Sequence, residues 1–163
     1  MRRIQLTQGR FALVDNEDYD EIASYKWCAH QRQNSKNCYA VRTVRLSFGR
    51  YKTVYMNRAI LSPGPRLEVD HANGNGLDNR RSNIRACTHS ENIRNRAKRA
   101  KASSQFKGVS WNVAARRWAA NIHSGPDRQI FLGYFADEVE AAKSYDAAAR
   151  HHFGRFARLN FDD

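Results

Sequence analysis

The sequence predicts an α+β protein assembled from small pieces: a β-rich N-terminal region, a middle segment of short strand and helix, and a C-terminal three-stranded antiparallel sheet backed by one helix. Three observations predict it. Short apolar runs of strand length, separated by polar or Gly/Pro turns, recur along the chain. One long helical period stands near the C-terminus. The 163 residues, 41% apolar and 11% aromatic, suffice for one ordinary domain or two small ones, and two small ones fit the pattern better.

In residues 1–50 the pieces "RFALVD" and "YAVRTVRLSF" have strand character, and the polar segment "HQRQNSKN" between them reads as a hairpin loop. Residues 51–100 begin with a strand and helix, "KTVYMNRAIL", then a Pro-Gly-Pro turn at Pro63 to Pro65. From Asn95 to Gln105 the chain runs "NRAKRAKASSQ", a helix tail passing into a linker that marks a domain boundary. In residues 101–163, "RWAANIH" alternates Trp118, Ala120 and Ile122 with Arg117, Ala119, Asn121 and His123, so one face is core and the other free. "SGPDR" supplies a turn between strands. Asp137 and Glu140 form a capping box, Val139, Ala142, Tyr145, Ala149 and Phe153 recur at helical spacing, and Gly154 ends the helix.

The charge is lopsided: 28 Lys and Arg against 16 Asp and Glu, a formal +12, which points to a polyanionic partner. No apolar run approaches the roughly 20 residues that span a bilayer, and no signal-peptide core follows Met1, so a soluble protein of the cytoplasm is expected, without a membrane partner. Cys28, Cys38 and Cys87 are odd in number and lack zinc-finger spacing; reduced thiols are expected, with no disulfide frame and no structural zinc.

One stretch does not fit a merely structural reading. Residues 69–92, "VDHANGNGLDNRRSNIRACTHSEN", set an Asp-His pair among Asn and Gly. Phosphodiester hydrolysis needs a base for water and a cation for the charge on the phosphate and the leaving oxygen. An imidazole suits the first task, and carboxylate and amide oxygens suit a hard ion for the second. Asn73, Gly74, Asn75 and Gly76 read as turn formers rather than chemistry.

Residues 55–96, with "VDHANGNGLDNRRSNIR" and "HSENIRNR", resemble an HNH nuclease of the homing-endonuclease type. Residues 104–161, from "FKGV" through "RWAANI" and "LGYF" to "AAKSYDAAARHHFGRFARLNF", resemble an AP2 DNA-binding domain. The pairing is similar to that of phage and bacterial endonucleases, which implies a bacterial or phage-infected cytoplasm. The first resemblance implies a ββα-metal core with His71 as general base, Asp70 and Asn92 as metal ligands, and Asn83 as the residue that holds the loop and orients the imidazole. It also implies a divalent ion, Mg2+ or Mn2+. Asn95, one helical turn from Asn92, is a second ligand candidate, and His89 reads as a helix-start residue.

Where the family pattern has a His before the Pro-rich turn, this chain has Asn57. That change weakens the site if the family His binds metal or phosphate, and is harmless if it packs a helix.

Arg80, Arg81, Arg85, Arg94, Arg96, Lys98, Arg99 and Lys101 form a cationic run suited to phosphates of double-stranded DNA. The AP2 resemblance lays its sheet in a major groove and offers Lys107, Ser110, Asn112, Arg117, Asn121, His123, Gln129 and Phe131 as contacts. The expected function is a metal-dependent DNA endonuclease that draws sequence preference from that sheet. The alternatives are a regulator or anti-defence factor that binds DNA on a spent nuclease fold, and a nicking component of a packaging machine.

Overall fold

The computed structural model describes every residue except 32, 34–36, 97, 99–102, 126–127 and 162–163. It is α+β and divides into two compact units, Met1–His89 and Ser90–Asp163. Among the described residues, no helix is long and apolar enough to cross a membrane.

The first unit opens with strands β1 (Arg2–Gln5) and β2 (Phe11–Val14), paired antiparallel. Helix α1 (Asn16–Ala23) follows. Strands β3 (Cys28–Gln31), β4 (Cys38–Arg45) and β5 (Tyr51–Tyr55) make an antiparallel sheet in that order. Helix α2 (Met56–Leu61) leads to a second antiparallel pair, β6 (Glu68–His71) and β7 (Ile84–Cys87). Of the segment "HQRQNSKN", His30 and Gln31 belong to β3 and residues 32 and 34–36 lie outside the described residues; "LSF" belongs to the turn after β4 rather than to the strand. α1, rich in Asp and Glu, had no place in the sequence reading.

One apolar cluster holds all of this together: Ile4, Leu6, Val14, Ile22, Trp27, Ala40, Met56, Ile60 and Ile84 are buried in it, with Val69 and Leu77 packed alongside. Residues 1–50 and the segment after them were expected to be separate regions; they share this core. The reason is area. Short strands and two-turn helices bury too little apolar surface to fold alone, so the pieces pool it.

At the β4–β5 turn Phe48 takes φ 58 and ψ 33, followed by Gly49 at φ 70. A left-handed conformation at a bulky residue costs about 1–2 kcal/mol.

In the second unit, helix α3 (His89–Arg94) crosses the division, with only His89 in the first unit. Strands β8 (Val109–Asn112), β9 (Arg117–His123) and β10 (Gln129–Phe135) form an antiparallel sheet with β9 central, and helix α4 (Glu138–Phe153) packs on one side. Asp137 caps α4 as its sequence suggests, accepting from the Glu140 amide at 3.0 Å. Ala142, Tyr145, Ala149 and Phe153 are buried, whereas Val139 is exposed and Ala141 is the residue of the first turn that packs on the sheet. Gly108, at φ +78, lies directly under the Tyr145 ring, where any Cβ would clash, so glycine is required there.

The C-terminal tail is fastened by Asp146, which is 2% exposed. Its carboxylate accepts from the Asn160 amide at 2.9 and 3.0 Å, from Asn160 Nδ2 at 3.0 Å and from the Phe161 amide at 3.0 Å. Asn160 in turn brackets the backbone of Lys107, accepting its N–H at 2.6 Å and donating to its carbonyl at 3.1 Å.

Candidate active site

β6 ends on Asp70 and His71, 7% and 5% exposed, and β7 pairs with it so that Asp70 faces Arg85 and His71 faces Ile84. Between the strands, the loop is closed by its own asparagines. The Asn75 amide donates to Asn73 Oδ1 at 2.8 Å and the Leu77 amide to Asn75 Oδ1 at 3.1 Å, side-chain turns that explain the Asn-Gly composition. Asn83 ties the two ends: its Nδ2 donates to the Asp78 carbonyl at 2.7 Å and its Oδ1 accepts from the Asn73 amide at 3.0 Å. Gly76 lies against the Cys38 carbonyl and the Tyr39 ring, with no room for a side chain. The Asn79 amide donates to the Leu13 carbonyl at 2.8 Å and the Leu13 amide to Leu77 O at 2.8 Å, which anchors the loop to β2.

Asn83 thus holds the loop, but the side chain bonded to the imidazole is Asn79, whose Oδ1 lies 3.2 Å from His71 Nε2. Sequence reasoning missed Asn79, since spacing within an Asn-rich loop does not show which amide the closed loop turns inward. Asn79 is 1% exposed and its Nδ2 is buried without a hydrogen-bond partner. Burial pushes the His71 imidazole below its ordinary range, opposed by the Asn79 bond and by the charges of Asp70 and Asp78. The Tyr39 ring stands 5.9 Å from it, centre to centre.

Arg85 Nε and Nη2 both reach Asp70 Oδ2, at 3.0 and 2.7 Å, and the Arg85 side chain is 14% exposed. The other two arginines of the loop also meet carboxylates. Arg80 grips Asp78 through two bonds of 2.7 Å, which holds that carboxyl below its usual range. Arg81 meets Asp18 at 2.7 Å and Glu17 at 2.9 Å, both from α1. Asp78 is two residues from its partner, but Asp18 and Glu17 are more than sixty residues from Arg81, so the cationic run looked barer than it is.

Asn57 is 6% exposed; its Nδ2 donates to the Val69 carbonyl at 3.4 Å and its Oδ1 accepts from the Arg58 amide at 2.9 Å. It fastens α2 to the strand that carries Asp70 and His71. His89 pairs with Glu68 at 2.8 Å.

The remaining candidates lie in the second unit. Asn92 and Asn95 follow one another on and just after α3, half-buried and buried. The Arg94 guanidinium lies 4.8 Å from the centre of the Phe153 ring, and Arg96 is exposed. Lys98 Nζ donates to the carbonyls of Phe106 and Val109, and Lys107 Nζ to the carbonyl of Arg94. Arg99 and Lys101 lie outside the described residues.

Burial, with Arg158 nearby, pushes the Lys107 ammonium down to about 8. Unfolded, a lysine titrates near 10.4. Between these values the unfolded chain binds more protons, so the stability of the second unit should rise from pH 8 to pH 10. Above that, the opposite contribution enters from Tyr145, which burial pushes up to about 12. Thermal unfolding across this range should show the rise in the native chain and a flatter profile in Lys107→Met.

The sheet side away from α4 presents Ser110, Arg117, His123, Gln129 and Phe131 exposed, with Asn112 and Asn121 half-buried. A register shift between Phe131 and Gly133 brings Tyr134 opposite Ala119 and so onto the same side. Its ring packs 4.9 Å from that of Phe131 and its hydroxyl accepts from Asn112 Nδ2 at 3.2 Å. Strict alternation from Phe131 skips Tyr134, so the sequence reading left it out.

Residues 62–94 match the model of a family described as HNH endonuclease. The C-terminal part resembles plant proteins. APETALA2-like protein 2 of Oryza sativa subsp. indica is 42% identical over 64 residues, 39% of this chain and 14% of that protein. The AP2/ERF and B3 domain-containing transcription repressor TEM1 of Arabidopsis thaliana is 46% identical over 59 residues, 36% of this chain and 16% of that protein. Dehydration-responsive element-binding protein 2E of Arabidopsis thaliana is 37% identical over 68 residues, 36% of this chain and 28% of that protein. The chain therefore spans under a third of the length of these relatives. It joins a segment that matches the HNH endonuclease family model to a C-terminal part similar to the AP2/ERF proteins.

Proposed function

We propose that the protein is a metal-dependent DNA endonuclease that hydrolyses phosphodiester bonds, with its AP2-like sheet choosing or gripping the site. The observation that carries this reading is the Asp70-His71 pair, buried at the end of β6 under a loop that Asn83 locks, within the segment similar to HNH endonucleases.

The bond to Asn79 Oδ1 holds the imidazole proton on Nε2. The neutral imidazole is then the group that takes a proton from the attacking water. Burial, outweighing the carboxylates of Asp70 and Asp78, keeps the ring neutral, as a base must be. Asp70 is the residue of the first unit that would hold the ion; a carboxylate oxygen fits a hard cation such as Mg2+ or Mn2+, which keeps several of its own waters. When bound, the ion supplies positive charge at the scissile phosphate and leaving oxygen. Arg85 aligns the Asp70 carboxylate from the other strand.

Phosphate contacts from the cationic segment position the duplex, and Asn121, Gln129, Phe131 and Tyr134 on the free side of the sheet suit base edges and thymine methyls.

Supercoiled plasmid tests this. Nicked or linear DNA should accumulate with Mg2+ or Mn2+ and not with a chelator. Tight, chelator-resistant binding with no conversion under any metal would make the protein a DNA-binding regulator on a nuclease fold.

A further inference from the structure

The β4–β5 hairpin has a tip that nothing inside the chain explains. Phe48 is 97% exposed, with Tyr51 at 66% and Leu46 at 42% beside it. The Leu46 amide closes the turn onto the Arg50 carbonyl at 2.7 Å, and the left-handed conformations of Phe48 and Gly49 lift the ring to the apex. Glycine or asparagine would make that turn with less strain and expose no apolar ring. An exposed apolar group held in a strained conformation marks a contact surface.

Its surroundings select the partner. Arg45 pairs with Tyr51 across the ribbon and Val44 with Lys52, so alternation sends Arg45 and Lys52 to opposite faces, with Arg50 at the turn between them. All three are exposed, and between Glu21 and Glu68 the chain has no Asp or Glu at all. An apolar wedge flanked by cations on both sides matches duplex DNA, where apolar side chains enter between base steps and cations meet the phosphates alongside.

We propose that this hairpin is a second DNA contact, with Phe48 wedged against a base step from the minor-groove side and Arg45, Arg50 and Lys52 on the adjoining phosphates. The inference rests on DNA being the partner and not on cleavage. It gives the N-terminal unit its own grip on the duplex, independent of the AP2-like sheet.

The test uses the full chain and duplexes carrying 2-aminopurine at successive positions. Native protein should raise the fluorescence at one or two adjacent steps. Phe48→Ala should abolish that rise and weaken binding roughly tenfold. Replacing Arg45, Arg50 and Lys52 with serine should lower the salt slope of binding by about 2–3. Thermal unfolding should be no worse in Phe48→Ala, since the ring packs against nothing. Native binding that Phe48→Ala leaves unchanged, in both affinity and fluorescence, overturns the wedge while leaving the nuclease reading intact. A Phe48-dependent signal in a protein that never cleaves supports the wedge and removes the nuclease. Phe48-dependent co-sedimentation with anionic vesicles, in place of any effect on DNA, overturns it in favour of a membrane surface.

Discussion

His71→Ala is expected to lower single-turnover nicking by about 100- to 10,000-fold, the range that a positioned general base supplies, with DNA affinity unchanged. The imidazole is buried, and Asn79, to which it is bonded, is an amide that takes up no proton in its place. Removing the ring also leaves Asn79 with neither end paired and opens space beside Tyr39. That carries a stability cost of about 1–3 kcal/mol, which must be separated from the chemical loss. The comparison is therefore made at matched DNA occupancy and well below the unfolding midpoint of the variant. A variant that nicks within a few-fold of the native rate would move the chemistry away from β6.

The second large effect is on stability. Asp146→Ala should lower the stability of the second unit by about 3 kcal/mol, since the buried carboxylate takes the amides of Asn160 and Phe161 together with Asn160 Nδ2. Those donors would be left facing alanine, and the Asn160 bracket on Lys107 would lose its anchor. In a domain of this size the midpoint should fall by more than about 10 °C. Asp146→Asn should recover only part of it, because its amide group places donors opposite donors. Thermal unfolding followed by Trp fluorescence measures both, and an unchanged midpoint for the alanine variant would mean that the tail contributes nothing to the fold.

Much of the second unit was legible in the sequence because its signals are local. Period two in "RWAANIH", a capping box at Asp137 and a glycine at the helix end each act over a few residues, and each element appears where they put it. The first unit was harder to read. Its sheets are two and three strands wide and share a core that runs from Ile4 to Ile84, so the division into an N-terminal region and a middle segment followed composition where packing is continuous. The pairing of Arg81 with Asp18 and Glu17 shows the same limit for charge, since the partners are more than sixty residues apart. In this segment the Asp-His pair stood out from its Asn-Gly surroundings, and Asn83 was reached through the family resemblance. Asn79 was not reached, because its contact with His71 exists only once the loop has closed against β2.

The bulge in β10 carries a consequence for how such a surface changes over time. A strand with one extra residue turns every side chain beyond that point to the opposite side. Tyr134 is therefore addressed by backbone register, and its neighbours Phe131 and Asn112 reach it only while the irregularity sits between Phe131 and Gly133. Two domains with the same letters in aligned columns can present different surfaces if one keeps the bulge and the other loses it. A single insertion or deletion in this strand would rewrite what the sheet displays without replacing any of the residues that do the touching.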